Sequence, residues 1–216
     1  GQISIVTAMI AAFVLAMSSL VIGLAPPIGF ILSLIGYFVL TTFYSVWLKR
    51  VLLVDVITLA GLYTLRVVAG GLAVGIQVSY WLLAFSFFIF LSLSFVKRSS
   101  ELASHSDPHK QLVNGRAYEI RDLPILNGLG ISSGLVSVLV FALYLDSDTV
   151  RILYGTSEAL WFAVPVLTFW ISWVWVRAGR GEVDEDPILF ALKDKASLLS
   201  GFACLGIFII GQLVLI

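Results

Sequence analysis

The sequence predicts an all-α fold, a polytopic transmembrane helical bundle, and three observations carry that prediction. Of 216 residues, 60% are hydrophobic and only 12% charged, against about 45–50% and about 25% in soluble domains. The apolar residues fall in blocks of roughly twenty, the length that crosses about 30 Å of hydrocarbon as a helix. Finally, eleven of the thirteen Lys and Arg residues lie in loops that a seven-span layout places on one side of the membrane.

The first predicted span, about Ile3 to Leu24, ends at Ala25-Pro26-Pro27, where proline stops a helix. The second, about Ile28 to Leu48, closes on Lys49-Arg50. The third, about Val51 to Gly75, carries Asp55, Arg66 and the Gly70-Gly71 pair. The fourth, about Ser79 to Val96, opens on Tyr80-Trp81, an interfacial aromatic anchor. A polar island, Lys97 to Asp122, follows and is read as a loop. The fifth span is about Leu123 to Leu145, the sixth about Glu158 to Val176, and the seventh about Ala196 to Ile216. Between the last two, Asp186-Pro187 predicts the start of a short amphipathic helix.

The eleven basic residues sit between spans two and three, in the island, and between spans six and seven. The opposite side has only Arg151. The positive-inside rule then makes the basic side cytoplasmic and places Ile216 outside, in a multi-pass protein of the cell's inner membrane. Net charge is zero, so no basic surface argues for nucleic acid. A single cysteine, Cys204, allows no intrachain disulfide and no cysteine-based zinc or iron–sulfur motif. No basic stretch precedes the first apolar run, so no signal peptide is expected. Because Gly1 is not an initiator Met, we read the chain as a single transmembrane domain, 1–216, cut from something longer on its N-terminal side.

Ionisable residues inside or beside spans are the candidates for chemistry. Asp55 and Arg66 are eleven residues apart, three helical turns, so they share a face yet lie about 16 Å apart along the axis. They form no direct pair, and Arg66 requires another partner: a carboxylate on another helix, or an anionic ligand. Tyr44 lies near Asp55 in depth, with Lys49 close by. In the island, Glu101 follows Lys97-Arg98 by one helical turn, a spacing that would let span four extend beyond the membrane, and Tyr118 and Asp122 are i, i+4 if helical. Glu101 and Asp122 are the candidate oxygen ligands for Mg²⁺, which typically takes one or two carboxylates plus substrate phosphates. A solvated charged loop explains the same pattern. His105 and His109 lack the flanking pattern of a zinc site.

Taken in order, these segments resemble the UbiA superfamily of intramembrane prenyltransferases. The residues that carry the resemblance are Tyr44-Ser45 with Leu48-Lys49-Arg50, Asp55, Leu65-Arg66 with Ala69-Gly70-Gly71, Lys97-Arg98 with Glu101-Leu102, Gly115-Arg116 with Tyr118 and Asp122, and Asp186-Pro187-Ile188 with Phe190-Ala191 and Asp194. The likeness is to the branch of decaprenyl-phosphate phosphoribosyltransferases. It implies nine helices, of which this chain would hold the third to the ninth, with a polar cavity opening to the cytoplasm. It also implies a Mg²⁺-dependent transferase joining a polyprenyl phosphate or diphosphate lipid to a pyrophosphate-containing co-substrate. The usual first Asp-rich motif does not occur in the chain, which predicts that the fragment alone is inactive. Glu101 and Asp122 stand in place of the second motif's Asp-x-x-x-Asp, which favours phosphoribosyl transfer over C-prenylation of an aromatic ring. Under this resemblance Glu101, Asp122 and Tyr118 are the catalytic candidates, with Glu101 and Asp122 as metal ligands. Tyr44, Lys49, Asp55, Arg66, Lys97, Arg98, Arg116, Asp186 and Asp194 are the substrate-binding candidates. A membrane transporter is the competing reading from a different class.

Overall fold

The computed structural model describes residues 27–104, 117–147, 150, 157–183 and 186–213. Among them are eight α-helices and no strand: α1 (Ile28–Val46), α2 (Val54–Val74), α3 (Tyr80–Ala103), α4 (Leu123–Leu145), α5 (Ser157–Leu160), α6 (Ala163–Gly179), α7 (Pro187–Lys193) and α8 (Lys195–Leu213). Six helical stretches are long and apolar enough to span a membrane, matching predicted spans two to seven. The predicted first span lies outside the described residues, as do His105, His109 and Arg116.

Consecutive spans are neighbours: α1 packs on α2, α2 on α3, α3 on α4, α4 on α6, and α6 on α8. Short links between neighbours make them alternate in direction, so the C-terminal ends of α1, α3 and α6 lie with the N-terminal ends of α2, α4 and α8. That shared end carries Lys49, Arg50, Lys97, Arg98, Arg121, Arg177, Arg180, Lys193 and Lys195, and is called the basic end below. Large apolar side chains such as Phe38, Trp47, Leu199 and Phe202 cover the outside, as lipid-facing surfaces require.

Several boundaries differ from the expected ones, each for a local reason. Helix α3 does not stop at Val96 but runs to Ala103, so the first seven residues of the polar island are helical rather than loop. Its charges are not solvated: Arg98 is 1% exposed and Glu101 7%, and both find partners within the bundle. The island also closes on a short 3-10 turn, Ile120–Asp122, directly before α4. The sixth span is broken into α5 and α6, because Pro165 has no N–H to give the Trp161 carbonyl; the Val164 N–H donates there instead, at 3.1 Å. The short helix expected at Asp186-Pro187 forms as α7, with the Asp186 carboxylate accepting the Ile188 N–H at 2.9 Å.

Three spans meet on the small-residue stripe of α4. Gly130 and Gly134 are buried on the face that also carries Leu126, Ser137, Val138, Phe141 and Leu145. Their missing side chains let α3 and α6 approach closely. Ser92 of α3 donates to the Gly130 carbonyl at 2.7 Å, and the Trp175 indole of α6 donates to Ser92 Oγ at 3.0 Å. This chain of bonds sits inside a core of Phe95, Val96, Leu126, Ile171 and Val174.

Candidate functional site

The basic ends of α1, α2 and α3 converge on a buried ionic network. Asp55, in the first turn of α2, is fully buried. Its carboxylate accepts the Tyr44 hydroxyl at 2.8 Å and Arg98 Nε at 2.5 Å, with Arg98 Nη2 3.3 Å from its other oxygen. Arg98 also pairs with Glu101, three residues along the same helix, and its Nη2 lies 3.4 Å from the Tyr44 hydroxyl. One guanidinium therefore faces two carboxylates out of water, an arrangement tolerated only where the remaining donors and acceptors are hydrogen-bonded. Tyr118, 2% exposed, joins from the far side of the island: its hydroxyl accepts the Leu53 N–H at 3.1 Å. Residues far apart in sequence (Tyr44, Asp55, Arg98, Glu101 and Tyr118) thus come together.

Other candidates go elsewhere. Arg66 is exposed on α2 and separated from Asp55 by the length of three turns. It donates to the Tyr37 hydroxyl, and its guanidinium lies 5.2 Å from the Tyr37 ring centre and 4.9 Å from that of Tyr63. A cation–π clamp of this kind meets the demand for a partner without a carboxylate. Asp122 closes its own turn, accepting the Glu119 N–H at 2.9 Å. Lys49, on the 3-10 turn after α1, is half-buried with no carboxylate partner among the described residues.

Lys97 lies one helical step from Arg98 and faces a different neighbourhood. It lines a cavity of about 20 Å³ with Ser94, Asp186, Pro187, Leu59 and the stacked rings of Tyr63 and Phe90. Among the described residues, the buried Ser94 hydroxyl there has no hydrogen-bond partner and Lys97 has no carboxylate partner. Leu93 and Ile188 are shared with the next hollow, an apolar crevice of about 490 Å³ walled by α3, α6, α7 and α8. Through Trp170 and Gly201 that crevice shares walls with a hollow of about 240 Å³. Through Leu167 and Cys204 it reaches a third, of about 320 Å³, lined by Trp81, Phe85 and Phe208 at the opposite end. A small pocket at the basic end, about the size of one water, therefore shares walls with an apolar crevice that follows α8 along much of its length.

Glu101 is tied to Arg98 and Asp122 to its own turn, and no group of three His, Cys, Asp or Glu side chains is placed to hold a metal among the described residues.

Asp194 is a fastener at the basic end rather than part of the network. Its Oδ2 accepts the Ser197 N–H at 2.8 Å, the Ser197 hydroxyl at 2.9 Å and the Trp173 indole at 2.9 Å. Burial pulls its carboxyl upward, but those hydrogen bonds, with Arg177 nearby, outweigh it and hold the pKa below the ordinary 3.8. A depressed carboxyl stabilises the fold above its unfolded pKa and loses that contribution as pH falls through the folded value. Asp194→Asn is therefore expected to lower the melting temperature of the purified protein at pH 7, with the gap to wild type closing below about pH 4. A gap that stays constant down to pH 3 would contradict this.

Sequence reasoning reached Tyr44, Asp55, Arg98 and Glu101 but not Ser94, Tyr37, Tyr63 or Leu53. Tyr63 sits one turn before Arg66, a spacing that marks it as a possible stacking partner. Tyr37 and Ser94 carry no such signal, since their roles depend on which helices become neighbours.

Residues 1–207 match the model of the UbiA prenyltransferase family. The chain is 34% identical over 202 residues to the uncharacterized protein y4nM of Sinorhizobium fredii, covering 93% of this chain and 39% of that protein. It is 30% identical over 169 residues to nodulation protein NoeC of Azorhizobium caulinodans, covering 76% of this chain and 53% of that protein. The chain thus spans between about two fifths and about half of the length of these two relatives.

Proposed function

Because the chain belongs to the UbiA prenyltransferase family, we propose that it is the membrane transferase part of an enzyme that moves phosphoribose from phosphoribosyl pyrophosphate onto a polyprenyl phosphate. The observation that supports this reading is the placement of Lys97, with no carboxylate partner among the described residues, at the basic end of the apolar crevice walled by α3, α6, α7 and α8, with which its small pocket shares Leu93 and Ile188. A polyprenyl phosphate has the same division, one anionic group on a long apolar tail. Lys97 would hold the lipid phosphate, with Lys49 as a second cation for the pyrophosphate partner. Both lysines lack carboxylate partners among the described residues, whereas Arg98 is already neutralised by Asp55 and Glu101.

The chemistry is substitution at the ribose carbon that carries pyrophosphate. A lipid phosphate oxygen forms the new C–O bond, and the old C–O bond breaks with its electron pair on the departing pyrophosphate. Lysine cations at the basic end would stabilise that leaving charge, in a site shielded from bulk water where such contacts are strong. The Arg98 network supplies a rigid wall rather than a free cation. Mg²⁺ enters the proposal as the counter-ion of the pyrophosphate, not as a resident of Glu101 and Asp122. The basic end would face the cytoplasm, where a soluble sugar pyrophosphate reaches the inner-membrane leaflet.

Full-length protein in native membranes, given labelled phosphoribosyl pyrophosphate and polyprenyl phosphate, is expected to yield a labelled lipid. Lys97→Ala should raise the lipid KM roughly ten- to a hundredfold, the range expected for losing one hydrogen bond to a charged group. Labelling instead of an aromatic acceptor by a polyprenyl diphosphate, or solute flux with no lipid product, would replace this reading.

A further inference from the structure

Leu53 is the one non-glycine residue with a positive φ among the described residues (φ 62°, ψ −34°). The Val54 N–H bonds to the Leu52 carbonyl at 2.8 Å, closing a three-residue γ-turn in its rare, strained form. A side chain with a Cβ avoids this region unless its surroundings impose it. Here the imposed contact is visible: the Leu53 N–H, left over by the turn, donates to the Tyr118 hydroxyl at 3.1 Å. Tyr118 itself is locked in the core with Val56 and Leu102. Directly after the turn stands Asp55, and just before it the Lys49 segment. If Leu53 relaxed to a negative φ, the segment leading from α1 would swing relative to α2. The Tyr44–Asp55 bond across those two helices would be the first casualty.

We propose that Tyr118 is a positioning residue whose hydroxyl pins the strained Leu53 turn and so holds Asp55 in register with Tyr44 and Arg98. This moves Tyr118 from contact with substrate to support of the residues around it. The activity arm of the test rests on the transferase reading above; the exchange arm does not.

In full-length protein, hydrogen–deuterium exchange without substrate should run about tenfold faster across residues 51–56 in Tyr118→Phe than in wild type. Turnover should fall about tenfold with the lipid KM unchanged. Adding Leu53→Gly to Tyr118→Phe should restore turnover to within about threefold of wild type, because glycine takes a positive φ without steric cost. Leu53→Ala, which keeps a Cβ, should not. Unchanged exchange in Tyr118→Phe overturns the proposal, and so does faster exchange with no rescue by glycine, the outcome a Tyr118 that touches substrate would give. Where wild type shows no transferase activity, the exchange arm alone decides whether the turn is pinned.

Discussion

Arg98→Met is expected to be the most damaging single substitution in the chain for stability. It leaves Asp55, fully buried, and Glu101, nearly so, as two carboxylates with their common cation gone. Breaking a buried ion pair from one side typically costs about 3–5 kcal/mol, because the orphaned charge has no water to return to. In a membrane bundle that loss should appear as a collapse of the monodisperse peak when detergent-solubilised protein is heated, at a temperature well below that of wild type. The converse variant tests that cause. Replacing the three together, with Asp55→Leu, Arg98→Met and Glu101→Leu, removes both buried carboxylates along with the cation, and such exchanges are often neutral or stabilising. The triple variant should recover much of the thermal stability that Arg98→Met loses. An Arg98→Met protein as heat-resistant as wild type would show that the network does not carry the load assigned to it.

How much of this was legible beforehand depends on whether a property lives in one helix or between helices. Spans two to seven and the one-sided basic residues followed from apolar block length and charge position, both local, and six of the spans appear as helices close to their expected limits. Helix α7 was readable because Asp186-Pro187 is a self-contained capping signal. The inward turn of Arg98 was not: hydropathy ends a span at the first cation, and only the presence of Asp55 on the neighbouring helix makes it favourable for α3 to continue to Ala103 with its charges buried. Arg66 shows the reverse case. Its need for a partner was deduced from its depth, but the two tyrosine rings that flank it were not anticipated. The strained Leu53 turn has no sequence signal at all, since leucine is among the residues least suited to a positive φ.

The α4 glycines supply the second large effect, and they allow a paired measurement of opposite sign on one helix. A Cβ built on Gly130 would lie 2.1 Å from Trp175 Cζ2 and 2.7 Å from Phe95 Cβ. The Trp175 ring is held by its bond to Ser92, and Phe95 Cβ is fixed to the backbone of α3, so neither can rotate aside. Gly130→Ala is therefore expected to push α3, α4 and α6 apart at a cost of about 1–3 kcal/mol from overpacking. That exceeds the helix-propensity gain of up to about 1 kcal/mol that alanine brings. Gly128, two residues earlier, has nothing within 4 Å of its would-be Cβ. There the propensity gain stands alone, and Gly128→Ala should raise the melting temperature slightly. Combining Gly130→Ala with Trp175→Leu removes the closer clash but keeps the one with Phe95, so it should recover stability only in part. If Gly130→Ala and Gly128→Ala shifted the melting temperature in the same direction, the close three-helix contact at Ser92 would not be what holds these spans together.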